Sequence, residues 1–168
     1  MSPPDFRADC GRCAALCCVA FHFERSDQFG VDKAAGEPCP HLDDAGGCAI
    51  HGRRIDRGFR GCVGYDCLGA GPWVTQVLFG GRSWLQDGAL LKGMVEAFLA
   101  AERGRRLLLM LREAGKLDLP PGERRRLGRL EAAVEAAMAD AAALASLDAE
   151  AKLFLRSLRP YAAPRPPA

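Results

Sequence analysis

Residues 9–21 read DCGRCAALCCVAF, and they hold the first four cysteines of the chain: Cys10, Cys13, Cys17 and Cys18. Asp9 is a good helix N-cap, so the stretch predicts a helix that begins there. At about 100° per residue, Cys10, Cys13 and Cys17 fall on one narrow helical face, whereas Cys18 points away from Cys13. Three thiols would project together near a helix N-terminus, which favours the thiolate over the thiol. The thiolate is the form of sulfur that a metal ion binds.

The chain has eight cysteines, and the other four also lie before residue 68: Cys39, Cys48, Cys62 and Cys67. Glycine and proline recur throughout this region, so little regular secondary structure is expected in it. Its folded state must therefore be stabilised by something besides a large apolar core. Eight thiolates suit two four-thiolate sites, or one iron–sulfur cluster and one zinc site. Disulfides are the alternative, but they need an oxidising compartment. The sequence therefore predicts that all eight cysteines are metal ligands, with zinc or an iron–sulfur cluster as the cofactor.

Other polar side chains in the same region are candidates for supporting or catalytic roles. His41 and His51 flank Cys48 and can either bind a metal or orient thiolates, although a structural role is more common for such histidines. In an iron–sulfur enzyme the candidate reactive side chains are these: His22, Arg54, Arg60, Tyr65 and Asp66. Asp66 directly precedes Cys67, which suits a role beside a metal, and equally suits the capping of a turn. No catalytic residue is assigned on this basis.

From residue 86 the pattern becomes helical. Asp87 is a predicted cap for a helix that runs through Leu107–Leu111 and stops at Gly115. Apolar residues from Leu127 to Leu144 recur every three or four positions, which predicts a second helix that packs on another.

Asp148 is then the predicted cap of a last helix, which stops before Pro160. Between the two halves, residues 69–85 favour a helix over a strand, with Gly80 and Gly81 at its end. The sequence thus predicts a mainly α protein with a loop-rich, metal-stabilised cysteine domain over residues 1–85. A small helical hairpin or three-helix bundle follows over 86–159, and residues 160–168 form a disordered tail.

Composition and charge exclude several functional classes. The chain is 49% hydrophobic and 26% charged, with a net charge of +2, so it is expected to fold. No secretory signal and no apolar run of about 18 residues is visible, which predicts a cytoplasmic protein without a membrane partner. Residues 101–130 carry nine basic and four acidic residues. The simplest interpretation of this basic stretch is the solvent-exposed surface of a helix. The chain has no DNA-reading motif, so nucleic acid is not an expected partner. A protein partner that binds the helical half is expected instead. The oligomeric state stays open.

The segments CGRCAALCC, PCPHLDDAGGCAIHGRR and GCVGYDC together resemble the YkgJ-type cysteine-cluster domain, a family named for a proposed ability to chelate zinc or iron. The family pattern has a Cys-x-x-Cys followed by a Cys-Cys doublet and three further elements. The residues that match those three elements are, in order: Cys39 and Leu42; Cys48, Ile50 and Arg54; Cys62 and Cys67. The resemblance covers residues 8–85 and implies metal binding.

Two details place the match in a divergent branch. Three residues separate Cys13 from Cys17 where the common pattern has two, and RGFRGC stands where the family usually has Arg-Pro before the cysteine. Residues 64–84, GYDCLGAGPWVTQVLFGGRSW, are similar to actinobacterial proteins that carry this domain ahead of pentapeptide repeats. No such repeats occur here, so the function linked to the repeats is not implied.

Three functions are compatible with the resemblance. The first is a metal-binding structural or interaction module. The second is an iron–sulfur enzyme that modifies a protein, since related domains occur in flagellin lysine N-methylases. The third is a redox or metal sensor in which a labile cluster alters the helical half.

Overall fold

A computed structural model describes residues 6–162, and over these residues the chain is helical and has no strand. The expected mainly α class is therefore confirmed, while its metal-stabilised character stays a prediction. The chain divides into two compact units, which meet in sequence between Glu102 and Arg103. No helix between residues 6 and 162 is both long and apolar enough to cross a membrane. The domain limits of 1–85 and 86–159 stay predictions.

The first unit consists of short helical pieces joined by loops. Its 3₁₀ turns are Cys10–Arg12, His51–Arg53 and Gly88–Leu90. Its short helices are α1 (Leu16–Ala20), α2 (Arg60–Gly64) and α3 (Ala70–Trp73), and α3 continues as a π-helical turn, Val74–Leu78. Two isolated antiparallel bridges join loop residues, one between Phe23 and Lys33 and one between Leu42 and Cys48. The buried apolar side chains include Leu16, Val19, Phe59, Val74, Met94 and Phe98.

The continuous helix predicted from Asp9 is wrong. The Cys10–Arg12 turn stops at Cys13, whose backbone is extended, and Ala15 is left-handed with φ of 53° before α1 begins. The cause is that both backbone polar groups of Ala14 are bonded to distant side chains. Its N–H donates to Oγ1 of Thr75 at 3.0 Å, and its carbonyl accepts from Nε1 of Trp84 at 2.6 Å.

The helix predicted within residues 69–85 is confirmed. The residues from Ala70 to Leu78 are helical, and Gly80 and Gly81 follow with φ of 63° and 81°. These left-handed conformations cost a glycine little, and they end the helix where the two glycines predict.

Long helices begin with α4 (Leu91–Ala114), which enters the second unit. Asp87 is confirmed as a cap, because its side chain accepts the N–H of Ala89 at 3.1 Å at the turn that leads into α4. The helix ends directly before Gly115, as predicted.

The single helix predicted from Leu127 to Leu144 is wrong. The structure has α5 (Pro121–Ala136) and α6 (Ala141–Ser157), with Asp140 at the start of α6. The Asp140 carboxylate accepts the N–H groups of Ala142 and Ala143, both at 3.0 Å, and so caps the helix.

Asp148, the predicted cap, instead lies inside α6 and pairs with Lys152 one turn later at 2.7 Å. The helix ends before Pro160 as expected, and a last short turn, α7 (Arg159–Ala162), takes in the first three residues of the predicted tail. The remaining tail residues, 163–168, lie outside the described residues. The core of this second unit includes Leu107, Leu108, Leu111, Val134, Leu144 and Phe154.

Candidate metal centre

All eight cysteines lie in the first unit as free thiols. Cys10 is exposed and the other seven are partly buried. The disulfide alternative is therefore not realised among the described residues, which include every cysteine of the chain.

Cys10, Cys13, Cys17 and Cys67 form what we call the first thiol group. Burial, followed by the neighbouring thiols Cys67 and Cys18, raises the pKa of Cys10. Burial also raises the pKa of Cys13 to about 11, with Cys67 and Cys10 acting in the same direction. Cys67 thus lies within electrostatic range of two cysteines, Cys10 and Cys13, that precede it by more than fifty residues.

The backbone around the first thiol group explains this proximity. The carbonyl of Arg12 accepts from Nε2 of Gln76 at 2.9 Å, which ties the Cys10–Arg12 turn to the helical segment after Cys67. The N–H of Ala70 donates to the carbonyl of Cys67 at 2.9 Å and starts that segment. At the other side, the N–H of Leu16 donates to the sulfur of Cys13, so that this thiol lies against the start of α1.

Cys18, Cys39, Cys48 and Cys62 form the second thiol group. Burial raises the pKa of Cys62 to about 11, and Cys18, Cys39 and Cys48 add to the effect. Burial likewise raises the pKa of Cys39, while a hydrogen bond from the N–H of His41 to its sulfur opposes the shift.

Backbone contacts hold the second thiol group together as well. The N–H of Cys39 donates to the carbonyl of Cys18 at 3.0 Å. The Leu42–Cys48 bridge closes the glycine-rich turn that returns Cys48 towards Cys39. Nη1 of Arg54 donates to the carbonyl of Cys62 at 3.2 Å, which brings the start of α2 to the same place.

The adjacent cysteines of α1 differ in their chemistry. The Cys17 thiol donates a hydrogen bond to Cys18, which raises the pKa of Cys17 and lowers that of Cys18 to about 7. The remaining shifted thiols have raised pKa values and hold their protons at neutral pH. A metal that binds them must displace those protons, so its affinity is expected to rise with pH.

Lys33 is a functional candidate that sequence reasoning missed. Only 6% of this lysine is exposed, and its Nζ donates to the carbonyls of Val19, Ala34 and Glu37 at 3.2, 3.0 and 2.8 Å. It therefore joins the C-terminal end of α1 to the loop that carries Cys39. A single lysine in a polar loop gives no signal in the sequence that it will be buried.

Arg54 is the second cation near the thiols. Its guanidinium acts to lower the pKa values of Cys10, Cys18 and Cys62, although burial outweighs it at Cys10 and Cys62. Nε of Arg54 donates to the carbonyl of His51 at 2.9 Å, which fixes the side chain from its own turn. Arg54 therefore lies within electrostatic range of members of both thiol groups.

The other candidates have structural contacts. The His41 ring packs edge-on against Phe59, with ring centroids 5.0 Å apart, and His22 and His51 are exposed. Tyr65 packs edge-on against Phe21 at 5.2 Å. The Asp66 carboxylate accepts the N–H of Leu68 at 2.7 Å, which is the turn-capping role, and Arg60 is exposed at the first position of α2.

The types of side chain present suit a thiolate-bound metal, but the distances between them do not form a closed binding site. Between residues 6 and 162, no three or more Cys, His, Asp or Glu side chains are grouped closely enough to hold an ion. The donor set is nevertheless that of zinc and iron–sulfur sites, because eight free thiols lie in one unit and backbone N–H groups donate to the sulfurs of Cys13 and Cys39.

Thr75 supports the loop between Cys13 and Cys17, and its removal provides a test. A Thr75→Val variant leaves the buried N–H of Ala14 without its acceptor, so we expect the free energy of unfolding to fall by about 1–3 kcal/mol. Urea denaturation followed by tryptophan fluorescence measures it, because Trp73 and Trp84 are the chain's two tryptophans and both lie in the first unit. Thr75→Ser keeps the hydroxyl and should lose much less. Equal losses in both variants would contradict this role of the hydroxyl.

Comparisons with known proteins add one relative. The chain is similar to the uncharacterized protein YybG of Bacillus subtilis (strain 168), with 36% identity over 115 residues. The match includes 68% of this chain and 41% of YybG, so the chain spans well under half the length of that relative. No family model matches the chain. No solved structure matches it. The resemblance to the YkgJ-type family therefore stays a prediction.

Proposed function

We propose that this protein binds metal through its cysteines, either as zinc or as an iron–sulfur cluster. The ligands are Cys10, Cys13, Cys17, Cys18, Cys39, Cys48, Cys62 and Cys67. The observation that carries the proposal is that cysteine segments far apart in sequence meet in one unit: the N–H of Cys39 donates to the carbonyl of Cys18, and Gly71, four residues after Cys67, lies against the sulfur of Cys13. Isolated buried cysteines that only pack as small apolar residues do not need such grouping.

The role we assign to the metal is structural. The helical segments of the first unit before residue 79 are short, the longest being the nine residues from Ala70 to Leu78, and such short helices are not stable without tertiary support. A metal that joins four segments of chain supplies that support, since its binding free energy adds to the folding free energy. Free thiols in this number suit the reducing cytoplasm.

A protein partner through the helical unit completes the proposal. In that unit Leu109, Met110, Leu153 and Tyr161 are each more than a third exposed, and Leu153 reaches 65%. Large apolar side chains of this kind are common where proteins meet, although scattered ones also occur on ordinary surfaces.

The test is metal content with an absorption spectrum, on protein purified without oxygen. One or two zinc ions per chain and no colour support a structural zinc module. A brown sample that contains iron and sulfide supports the iron–sulfur form. A metal-free protein that is folded over residues 6–90 overturns the proposal.

The exposure of Cys10 favours a second candidate. A cluster ligated by this residue would have an edge open to solvent, as an iron–sulfur protein-modifying enzyme or a redox or metal sensor requires. Exposure of the brown, iron-containing protein to oxygen distinguishes a cluster that is open to solvent from one in a closed site. Rapid bleaching with changed hydrogen exchange in residues 103–162 supports a sensor, and a stable spectrum counts against it.

Gly71 provides a mutational test of the metal site. A Cβ at this position would lie 2.5 Å from the sulfur of Cys13, so Gly71→Ala must displace that thiol. We expect the metal affinity to fall on the order of tenfold, as for other residues that orient ligands. Gly64→Ala is the matched control, because its Cβ meets nothing within 4 Å. Competition with a chelator measures both, and equal affinities would contradict a ligand role for Cys13.

A further inference from the structure

We infer that one end of the second unit binds an acidic segment of a partner protein. The inference rests on the proposed protein partner of that unit, and it names the place and the chemistry of the contact. The surface, which we call the arginine end, is formed by the start of α5 and by the end of α6 together with α7. Its arginines are Arg124, Arg125, Arg126, Arg129, Arg156 and Arg159.

The packing of the helices brings these two segments together. The guanidinium of Arg126 lies over the ring of Phe154, 5.0 Å from its centroid, so the start of α5 meets the last part of α6. A Cβ on Gly104 would lie 3.3 Å from a methyl carbon of Leu144, so the start of α6 packs against α4 instead. Leu144 and Phe154 are about 15 Å apart along α6. The arginine end and the Gly104 contact therefore lie at opposite ends of this helix.

The basic residues of the second unit are concentrated at the arginine end. Residues 112–130 and 153–162, which meet there, include eight basic and three acidic residues. The rest of the described unit, 103–111 and 131–152, includes four basic and five acidic residues. The net charge of the whole chain is only +2, so the excess of positive charge is local. A local excess of this kind attracts a negatively charged partner.

Most of this positive charge is not neutralised within the protein. Arg112 pairs with Glu135 at 3.0 Å, and Lys116 pairs with Glu113 at 2.7 Å. Over residues 6–162, the structure gives no ion pair to four exposed arginines of the arginine end: Arg125, Arg129, Arg156 and Arg159. Their guanidinium groups are therefore available to the carboxylates of a partner.

The face of α5 that carries Arg125 and Arg129 is open. The two residues are one turn apart, so they project from the same side of the helix, where their like charges repel each other. Gly122 and Gly128 lie beside them, and a Cβ on either glycine would meet nothing within 4 Å. The fold gains no stability from this pair of arginines, whereas an acidic partner would remove the repulsion between them.

Apolar side chains at the arginine end favour a protein over a nucleic acid as the partner. Leu153 is 65% exposed one turn before Arg156, and Tyr161 is 39% exposed in α7. Arginine and tyrosine are enriched where proteins meet. A phosphate backbone offers no apolar group to Leu153, and single-strand binding uses several aromatic side chains, whereas Tyr161 is the only exposed one that the structure describes here. An acidic segment that also carries apolar side chains matches both properties.

The experiment measures how the full, metal-containing chain binds a fluorescent synthetic peptide of glutamates with interspersed leucines. Arg125→Glu should weaken binding on the order of tenfold in fluorescence anisotropy, because a like charge then faces the peptide. This variant places an acid one turn before Arg129, which favours the helix, and circular dichroism checks that it folds. Arg103→Glu is the matched control, because it changes the net charge equally beside Gly104, at the opposite end, and its affinity should equal that of the wild type.

Two further probes test the chemistry of the partner. A peptide with glutamine in place of glutamate should not bind, and Leu153→Ser should weaken binding of the leucine-containing peptide. Equal losses in Arg125→Glu and Arg103→Glu overturn the assignment to the arginine end. Tighter binding of a single-stranded oligonucleotide with the same number of charges, or of vesicles that contain anionic lipid, overturns the protein partner. A metal-containing chain that does not bind the peptide overturns this inference alone, whereas a folded chain without metal overturns the metal-binding proposal.

Discussion

Cys13→Ser is expected to unfold residues 8–70 while the long helices of the second unit persist. Structural zinc contributes about 10–16 kcal/mol of folding free energy in small domains, which is more than most domains possess in total. In our proposal the first unit depends on such a contribution, because its helical segments before residue 79 are short, the longest having nine residues from Ala70 through the π-helical turn to Leu78. The helices α5 and α6 have 16 and 17 residues and bury apolar side chains of their own.

Three readouts separate the units. The fluorescence of Trp73 and Trp84 should shift to that of exposed tryptophan, while far-ultraviolet circular dichroism keeps the signal of the long helices. Hydrogen exchange should be fast over residues 8–70 and slow in α5 and α6. A chelator should reproduce this result in the wild-type chain, and added metal should reverse it there but not in the variant. A Cys13→Ser protein with wild-type fluorescence and exchange would show that metal does not hold the first unit.

The helical half could be predicted in type but only partly in its limits. Asp87 and Gly115 were sufficient to place the ends of the first long helix, because caps act on their immediate neighbours. Asp140 and Asp148 are both followed by good helix formers, so local sequence does not rank them as caps. The structure uses Asp140, and the alanines between the two aspartates tolerate either choice.

For the cysteine region, the sequence was sufficient to predict the types of functional side chain but not the path of the backbone. The eight thiols and their concentration before residue 68 are visible in the sequence. The interruption at Ala14 is not, because it depends on partners 61 and 70 residues away, Thr75 and Trp84. The neighbours of Cys67 depend in the same way on contacts made by Gln76 and Gly71.

The burial of Lys33 needs a physical explanation, since a buried ammonium group is costly. Burial lowers the pKa of Lys33, and the thiols of Cys39 and Cys18 oppose the change. Three carbonyl acceptors and the Phe23 ring, whose centroid is 5.0 Å from Nζ, stabilise the charge in part. An adjacent site with a net charge of about −2 would stabilise it further, and the ammonium group would stabilise the site in return.

Lys33→Met is therefore expected to weaken metal binding through the loss of its positive charge. Two unit charges several ångströms apart contribute on the order of 2 kcal/mol at an effective dielectric constant of about 20. The loss corresponds to roughly a 30-fold lower metal affinity.

Chelator competition on the loaded protein measures the affinity, and Lys33→Arg, which keeps the positive charge, separates the effect of the charge from that of the side chain's shape. Lys92→Met is the matched control, because Lys92 lies in the same unit with 88% of its side chain exposed and pairs only loosely with Glu96, at 4.0 Å. Its affinity should equal that of the wild type. If Lys33→Met leaves the affinity unchanged, the lysine only closes the end of α1. If Lys33→Arg lowers the affinity as much as Lys33→Met does, the loop that carries Cys39 has lost its position, and the charge of Lys33 is not the cause.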